Sequence, residues 1–201
     1  MLRIRPEGAD PGDPFAVVFV CTANRARSPL AEVLFRHYTS GVETVVSSAG
    51  ILDLGSLPAL PESIEAARRL GVDLTAHRAR TLHEVDLASA DLVAGFELAH
   101  ISAAVVDGNA DARRTFLLGE LITLVDAPRT TSDPSVGARA VVEIADSRRI
   151  RTRPALAHEI ADPFGRPART MTRTALEIDR CVRELVLGLF GPNDAEGWNI
   201  E

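Results

Sequence analysis

The stretch Phe15-Ala16-Val17-Val18-Phe19-Val20-Cys21-Thr22-Ala23-Asn24-Arg25-Ala26-Arg27-Ser28-Pro29-Leu30 decides how the chain is built. Phe15 to Val20 is an unbroken apolar run of strand length, the pattern of a strand buried on both faces. Ser28-Pro29 then opens a segment with Leu30, Val33 and Leu34 at helical spacing. Where a buried strand hands over to a helix, the free backbone N–H groups and the helix dipole make an anion site. A thiol placed there is stabilised as the thiolate, the nucleophilic form.

Outward from this stretch the alternation of strand and helix repeats. Glu43 to Ser48 reads as a second strand, and Pro61 to Leu70 as a helix that starts on proline and is ended by Gly71. Leu92 to Phe96 reads as a third strand before another apolar helix, and Thr115 to Leu118 as a short fourth strand followed by a helical segment through Val125. Ala175, Ile178, Val182, Leu185 and Leu189 follow at steps of three or four, an amphipathic helix closed by Gly191-Pro192. The order predicts a three-layer α/β fold, a four-stranded parallel sheet with helices on both faces. Residues 1–14, rich in proline and glycine, read as a loose leader, 15–190 as one domain, and 191–201 as a tail. Residues 126–161 carry Pro128, Pro134, Gly137, Pro154 and many Arg and Asp, and read as a surface insertion ordered only at Val141 to Ile144.

The chain has 201 residues, 25% charged and 46% apolar, with 22 basic against 28 acidic residues. A net charge of −6 leaves no global field to gather nucleic acid or anionic lipid. Every basic residue is Arg, and the absence of Lys removes lysine chemistry from consideration. The first 14 residues hold no apolar run that could serve as a signal peptide, and the longest apolar stretches elsewhere fall short of the ~20 residues of a membrane span, which points to the cytoplasm. Cys21 and Cys181 lack metal-ligand spacing, and so do His37, His83, His100 and His158, so no metal site is expected. Cys181 reads as a core thiol.

Five residues separate Cys21 from Arg27, enough for a loop to wrap a tetrahedral oxyanion while the guanidinium grips two of its oxygens. Ser28 adds a hydroxyl able to donate to the thiolate. Asn24 tolerates a left-handed backbone and can hydrogen-bond across the loop. Expelling a phenolate or alkoxide from a phosphate ester also needs a proton at the leaving oxygen, hence a general acid.

The segment resembles the signature of the low-molecular-weight protein tyrosine phosphatases, Cys-x5-Arg-Ser-Pro with Asn three residues after the Cys. The resemblance spans roughly Phe15 to Val125 and Ala161 to Leu189. It implies Cys21 as nucleophile and Arg27 as phosphate clamp, with Thr22, Ala23, Asn24, Arg25, Ala26 and Ser28 around the anion. Ser48-Ala49-Gly50 and the His77-Arg78-Ala79-Arg80 segment look like the family's supporting elements, which makes Ser48 and His77 partners of Asn24. Asp162-Pro163-Phe164 looks like its Asp-Pro-aromatic element, with Asp162 as general acid and Phe164 as a wall beside the substrate ring. Asp10-Pro11, Asp13-Pro14 and Asp133-Pro134 are the competing pairs.

The family type implies hydrolysis of phosphotyrosine on a protein through a phosphocysteine intermediate, without metal or other cofactor. The implied partner is a phosphotyrosine protein, a bacterial tyrosine kinase being one candidate, and phosphate, sulfate or vanadate could fill the loop. Ala23 stands where the family usually has Gly, a mild change if its φ is negative, and Ala26 stands where it has a second cysteine. Arg25 stands where tyrosine-specific members carry an aliphatic residue and protein-arginine phosphatases carry Thr. Two other readings stay open: an arsenate reductase of the same fold using an external thiol, and a catalytically weak phosphoprotein-binding module.

Overall fold

The computed structural model describes residues 13–125, 131–149 and 158–192. Four strands, β1 (Phe15–Cys21), β2 (Thr44–Gly50), β3 (Leu92–Gly95) and β4 (Thr115–Leu117), pair all-parallel in the order β2-β1-β3-β4. Six helices accompany them: α1 (Arg27–Tyr38), α2 (Pro61–Arg69), α3 (Leu98–Val106), α4 (Leu118–Leu124), α5 (Pro134–Arg148) and α6 (Ala168–Phe190). The three-layer expectation holds. The chain leaves β1 towards β2 on one side and later returns to pair β3 on the other. The loops that follow β1 and β3 therefore diverge, which opens a crevice at the carboxyl edge.

Alternation along β1 sorts its side chains between two cores. Phe15, Val17, Phe19 and Cys21 enter the larger one with Leu34, Phe35, Val142, Ile178, Leu185 and Leu189, under α1, α5 and α6. Val18 and Val20 face the smaller one with Val93, Leu87 and Ala104 of α3. The predicted stripe on α6 is buried along its length, and burying each of its Ile, Val and Leu side chains stabilises by about 1.5–3 kcal/mol. Phe190, near the end of α6, meets Phe15 edge-on at 5.7 Å. Gly191 then takes φ +81° and donates its N–H to Leu187 O at 2.9 Å, a stop that a side chain would strain.

The surface-insertion reading of 126–161 is corrected by α5. This helix of 15 residues buries Ala138, Val141, Val142 and Ala145 against the main core. Asp133, read as a rival acid, is its N-cap and accepts the N–H of Ser135 at 2.8 Å. Arg139 pins the helix to the amino edge of the sheet, donating to Asp91 Oδ1 at 3.0 Å and to Asp13 O at 2.8 Å. Most of the leader (1–12), residues 126–130 and 150–157 of the insertion, and 193–201 of the tail lie outside the described residues, as does Asp10. Among the described residues no helix is long and apolar enough to cross a membrane.

Candidate active site

Cys21 ends β1 opposite Gly50 of β2, and the loop from Thr22 to Ala26 rises from that edge into α1. Its carbonyls, apart from that of Ala23, are tied outwards. Cys21 O accepts from Ile51 N–H at 3.0 Å, Thr22 O from Leu52 N–H at 2.9 Å and Arg25 O from Leu60 N–H at 2.9 Å. Ala26 O accepts from Leu30 N–H at 3.3 Å, and Asn24 O accepts from His77 Nε2 at 2.7 Å. With the C=O ends held outside, the N–H ends turn inward, and those of Ala23 to Ser28 donate to no acceptor among the described residues. This is a preorganised anion nest continuous with a helix N-terminus.

Asn24 holds the turn from within. It is fully buried with φ +51°, donates through Nδ2 to Ser28 Oγ (2.9 Å) and Ser48 Oγ (2.8 Å), and accepts Arg80 N–H at 2.9 Å. Both serines spend their protons elsewhere. Ser28 Oγ donates to Cys21 Sγ at 3.0 Å, and Ser48 Oγ donates to the buried carboxylate of Glu32, which also takes Arg36. Ser28 therefore places a hydroxyl on the sulfur, with Ala49 O a longer second acceptor at 3.3 Å. Burial pushes the His77 imidazole below its usual range, with Asn24 O and Glu32 pulling the other way. Gly50 lets β2 approach the loop closely: a Cβ there would sit 3.0 Å from Ala23 C and Asn24 N, both backbone, and would press on the turn. Outside glycine only Asn24 and Asn109 have positive φ among the described residues, so Ala23 keeps an ordinary backbone and its methyl costs nothing there.

The Arg27 guanidinium is only 1% exposed and engages four acceptors. Nη1 donates to Glu97 Oε2 at 2.7 Å and Ile160 O at 3.0 Å, and Nη2 to Asp162 Oδ2 at 2.8 Å and Thr22 Oγ1 at 3.1 Å. The Asp162 segment reaches it because Ile160 N–H donates to Phe96 O at 2.9 Å and Leu98 N–H to Glu159 Oε1 at 2.9 Å. Asp162 Oδ1 accepts Phe164 N–H at 3.0 Å, which fixes the carboxylate and turns the Phe164 ring outward, 69% exposed. Packing in the core is thereby excluded for Phe164.

Cys21, Thr22, Ala23, Arg25, Ala26, Arg27, Asp162 and Phe164 surround one cavity of about 170 Å³, walled further by Leu52, Leu54 and Leu60. Asn24, Ser28, Ser48 and His77 stand behind its floor. Arg25 sits at the rim, its Nε donating to Pro58 O at 2.8 Å. Cys181 lies on α6 against a different cavity, and burial pushes its thiol up to about 11. Sequence reasoning missed Glu32, Arg80, Glu97, His100 and Ile160. Glu97 and His100 were findable as a Glu-x-x-His pair capping the helix after β3, beside the switch point. Among the described residues no cluster of three or more His, Cys, Asp or Glu side chains could hold a metal ion.

Residues 16–153 match the family model of the low molecular weight phosphotyrosine protein phosphatases. The low molecular weight protein-tyrosine-phosphatase Etp of Escherichia coli is 31% identical over 113 residues, 56% of this chain and 75% of that one. The protein-arginine-phosphatase of Bacillus subtilis is 32% identical over 109 residues, 53% and 72% of the respective chains. A solved low molecular weight protein tyrosine phosphatase from T. tengcongensis superposes with a TM-score of 0.64 at 26% identity, covering 86% of this chain and 97% of that one. A Cys-x5-Arg loop seated at the switch point of this sheet and a family match over most of its length agree: the chain belongs to the low molecular weight phosphotyrosine protein phosphatase family.

Proposed function

We propose that the chain hydrolyses phosphotyrosine on proteins through a phosphocysteine intermediate, with Cys21 as nucleophile, Arg27 as phosphate clamp and Asp162 as general acid. The observation that carries the reading is the nest of outward-tied carbonyls and free N–H groups above a thiol that already receives a hydrogen bond from Ser28. An arriving phosphate takes the Nη2 donor now held by Asp162, and Glu97 stays on Nη1. The exchange releases the Asp162 carboxyl group to face the leaving oxygen. The Cys21 thiolate attacks phosphorus, the bond to the phenolic oxygen breaks, and the Asp162 proton goes to that oxygen. Asp162 then takes a proton from water as the water oxygen attacks phosphorus. The S–P bond breaks, and phosphate and the thiolate are regenerated. Backbone N–H groups and the Arg27 fork stabilise the equatorial oxygens in both steps.

Leu52, Leu54, Leu60 and Phe164 give the cavity apolar walls suited to a planar ring above the anion. A phosphoarginine reading draws on the Bacillus subtilis relative. Against it stands Arg25, whose cation at the same rim repels a guanidinium leaving group. The test compares kcat/KM for phosphotyrosine, phosphoserine and phosphoarginine peptides, with Cys21→Ser and Arg27→Ala alongside. Phosphotyrosine should be preferred, Cys21→Ser should abolish turnover while still binding vanadate, and Arg27→Ala should lose both. A preference for phosphoarginine, near-normal rates in Cys21→Ser, or thiol-dependent arsenate reduction without aryl phosphate turnover would each overturn the reading.

A further inference from the structure

His100, on the first turn of α3, is 1% exposed and has no part in the reaction steps above. Its Nδ1 accepts the backbone N–H of Glu97 at 3.0 Å and of Phe96 at 3.3 Å. A ring nitrogen that accepts a backbone N–H carries no proton, so the proton of the neutral imidazole is on Nε2. Nε2 lies 3.0 Å from Thr22 Oγ1 and therefore donates to it, with Glu97 Oε2 a further 3.4 Å neighbour. Burial first, and then the nearby Arg27 charge, push this imidazole down to about 3, with Asp162 pulling the other way, so it stays neutral near pH 7.

Thr22 Oγ1 also accepts from Arg27 Nη2 at 3.1 Å. A hydroxyl has two acceptor lone pairs and one proton. With both lone pairs taken, the proton of Thr22 is left to donate, and Thr22 lines the cavity. The consequence sharpens once Asp162 leaves Nη2 to a phosphate, since Thr22 is then the remaining partner of that nitrogen among the described residues. Glu97 and Ile160 O hold only Nη1, and a guanidinium held at one nitrogen alone can still swing its fork. Gly95 lets the start of α3 come this close: a Cβ there would lie 2.9 Å from His100 Cβ.

We propose that His100 is a positioning residue for the anion cradle, acting through Thr22 to fix the plane of the Arg27 fork and to turn the Thr22 hydroxyl towards a bound phosphoryl oxygen. The inference rests on the phosphatase reading for its ligand, but it concerns the binding of an oxyanion, which can be measured without turnover.

Two substitutions split the roles of the ring. His100→Asn keeps an acceptor where Nδ1 serves the Glu97 N–H and loses the donor to Thr22. His100→Gln keeps a donor at the tip and loses the acceptor. Thr22→Val removes the hydroxyl at constant shape, and the double variant with His100→Asn closes the cycle. Calorimetric affinities for phosphate and vanadate, kcat and KM for an aryl phosphate, and the melting temperature are read for each. His100→Asn and Thr22→Val should each weaken vanadate binding by about five- to thirtyfold, the range of one oriented hydrogen bond. The double variant should be no weaker than the worse single one, and His100→Gln should bind within about threefold of the wild type. Additive effects in the cycle, equal losses in His100→Asn and His100→Gln, or wild-type affinity in His100→Asn would overturn the proposal. Vanadate binding without phosphate ester turnover by the wild type would count against the phosphatase reading alone, because the cycle still reports on His100.

Discussion

Asn24→Ala probes whether the cradle is held from within. Asn24 is fully buried, makes three side-chain hydrogen bonds and occupies φ +51°. Each lost bond costs about 1 kcal/mol when its partner is left buried, and an alanine in the left-handed region adds about 1 kcal/mol. The sum is on the order of 4 kcal/mol, and at about 2–4 °C per kcal/mol the melting temperature should fall by roughly 8–16 °C. Asn24→Gly loses the same bonds without the backbone cost and should recover about 1 kcal/mol of that loss. Asn24→Asp keeps the shape but puts an oxygen where Nδ2 donated to Ser28 and Ser48, whose protons are already committed to Cys21 and Glu32. The new carboxylate competes for the Ser28 proton. Asn24→Asp should therefore lose more activity than stability, the reverse of Asn24→Gly. Thermal unfolding, urea titration and calorimetric phosphate binding on the three variants measure this. An Asn24→Ala protein melting within about 3 °C of the wild type, with unchanged phosphate affinity, would show that Asn24 does not hold the cradle.

Asp162→Asn should slow hydrolysis of a phosphotyrosine peptide by about 100- to 10,000-fold, and much less for an aryl ester whose leaving group needs no proton; equal losses on both would move the acid elsewhere. Acid should also destabilise the fold through His100. Its folded value of about 3 lies below the ordinary 6.5, so the unfolded chain binds the proton first. Stability is then full above pH 6.5 and falls as the pH drops towards 3. The loss between pH 7 and pH 5 is about 2 kcal/mol in urea unfolding. His100→Asn should flatten that slope, and the same slope in both proteins would show that another group governs it.

The later course of the chain was harder to read than its first thirty residues. For α5, the signals of a helix start were present as Asp133 before Pro134 at the first turn. The helix went unread because its buried face is built largely of small residues, Ser135, Gly137, Ala138 and Ala145, which let it pack closely but leave little hydrophobic periodicity. The exposure of Phe164 is not written in its own segment for a related reason. An aromatic in a loop packs or projects according to the backbone beside it, and here the turn closed by Asp162 Oδ1 decides.

The strand, the loop and the helix from Phe15 to Tyr38 were legible in the sequence, and with them the order of Cys21, Asn24, Arg27 and Ser28 along the turn. These are neighbours along the chain, and a loop between a buried strand and a helix N-terminus takes its shape from local sterics and hydrogen bonds. What holds Arg27 comes from contacts far along the chain. Glu97 lies 70 residues away and Asp162 lies 135. Nothing in their own segments marks them as partners of one guanidinium. They meet because the parallel register sets Cys21 beside Gly50 and Val20 beside Gly95, bringing the loops after β1, β2 and β3 to one edge. The Asp162 segment is then seated on the loop after β3 through Ile160 and Glu159. A contact of that kind is a property of strand register and crossover, which no window of the sequence contains.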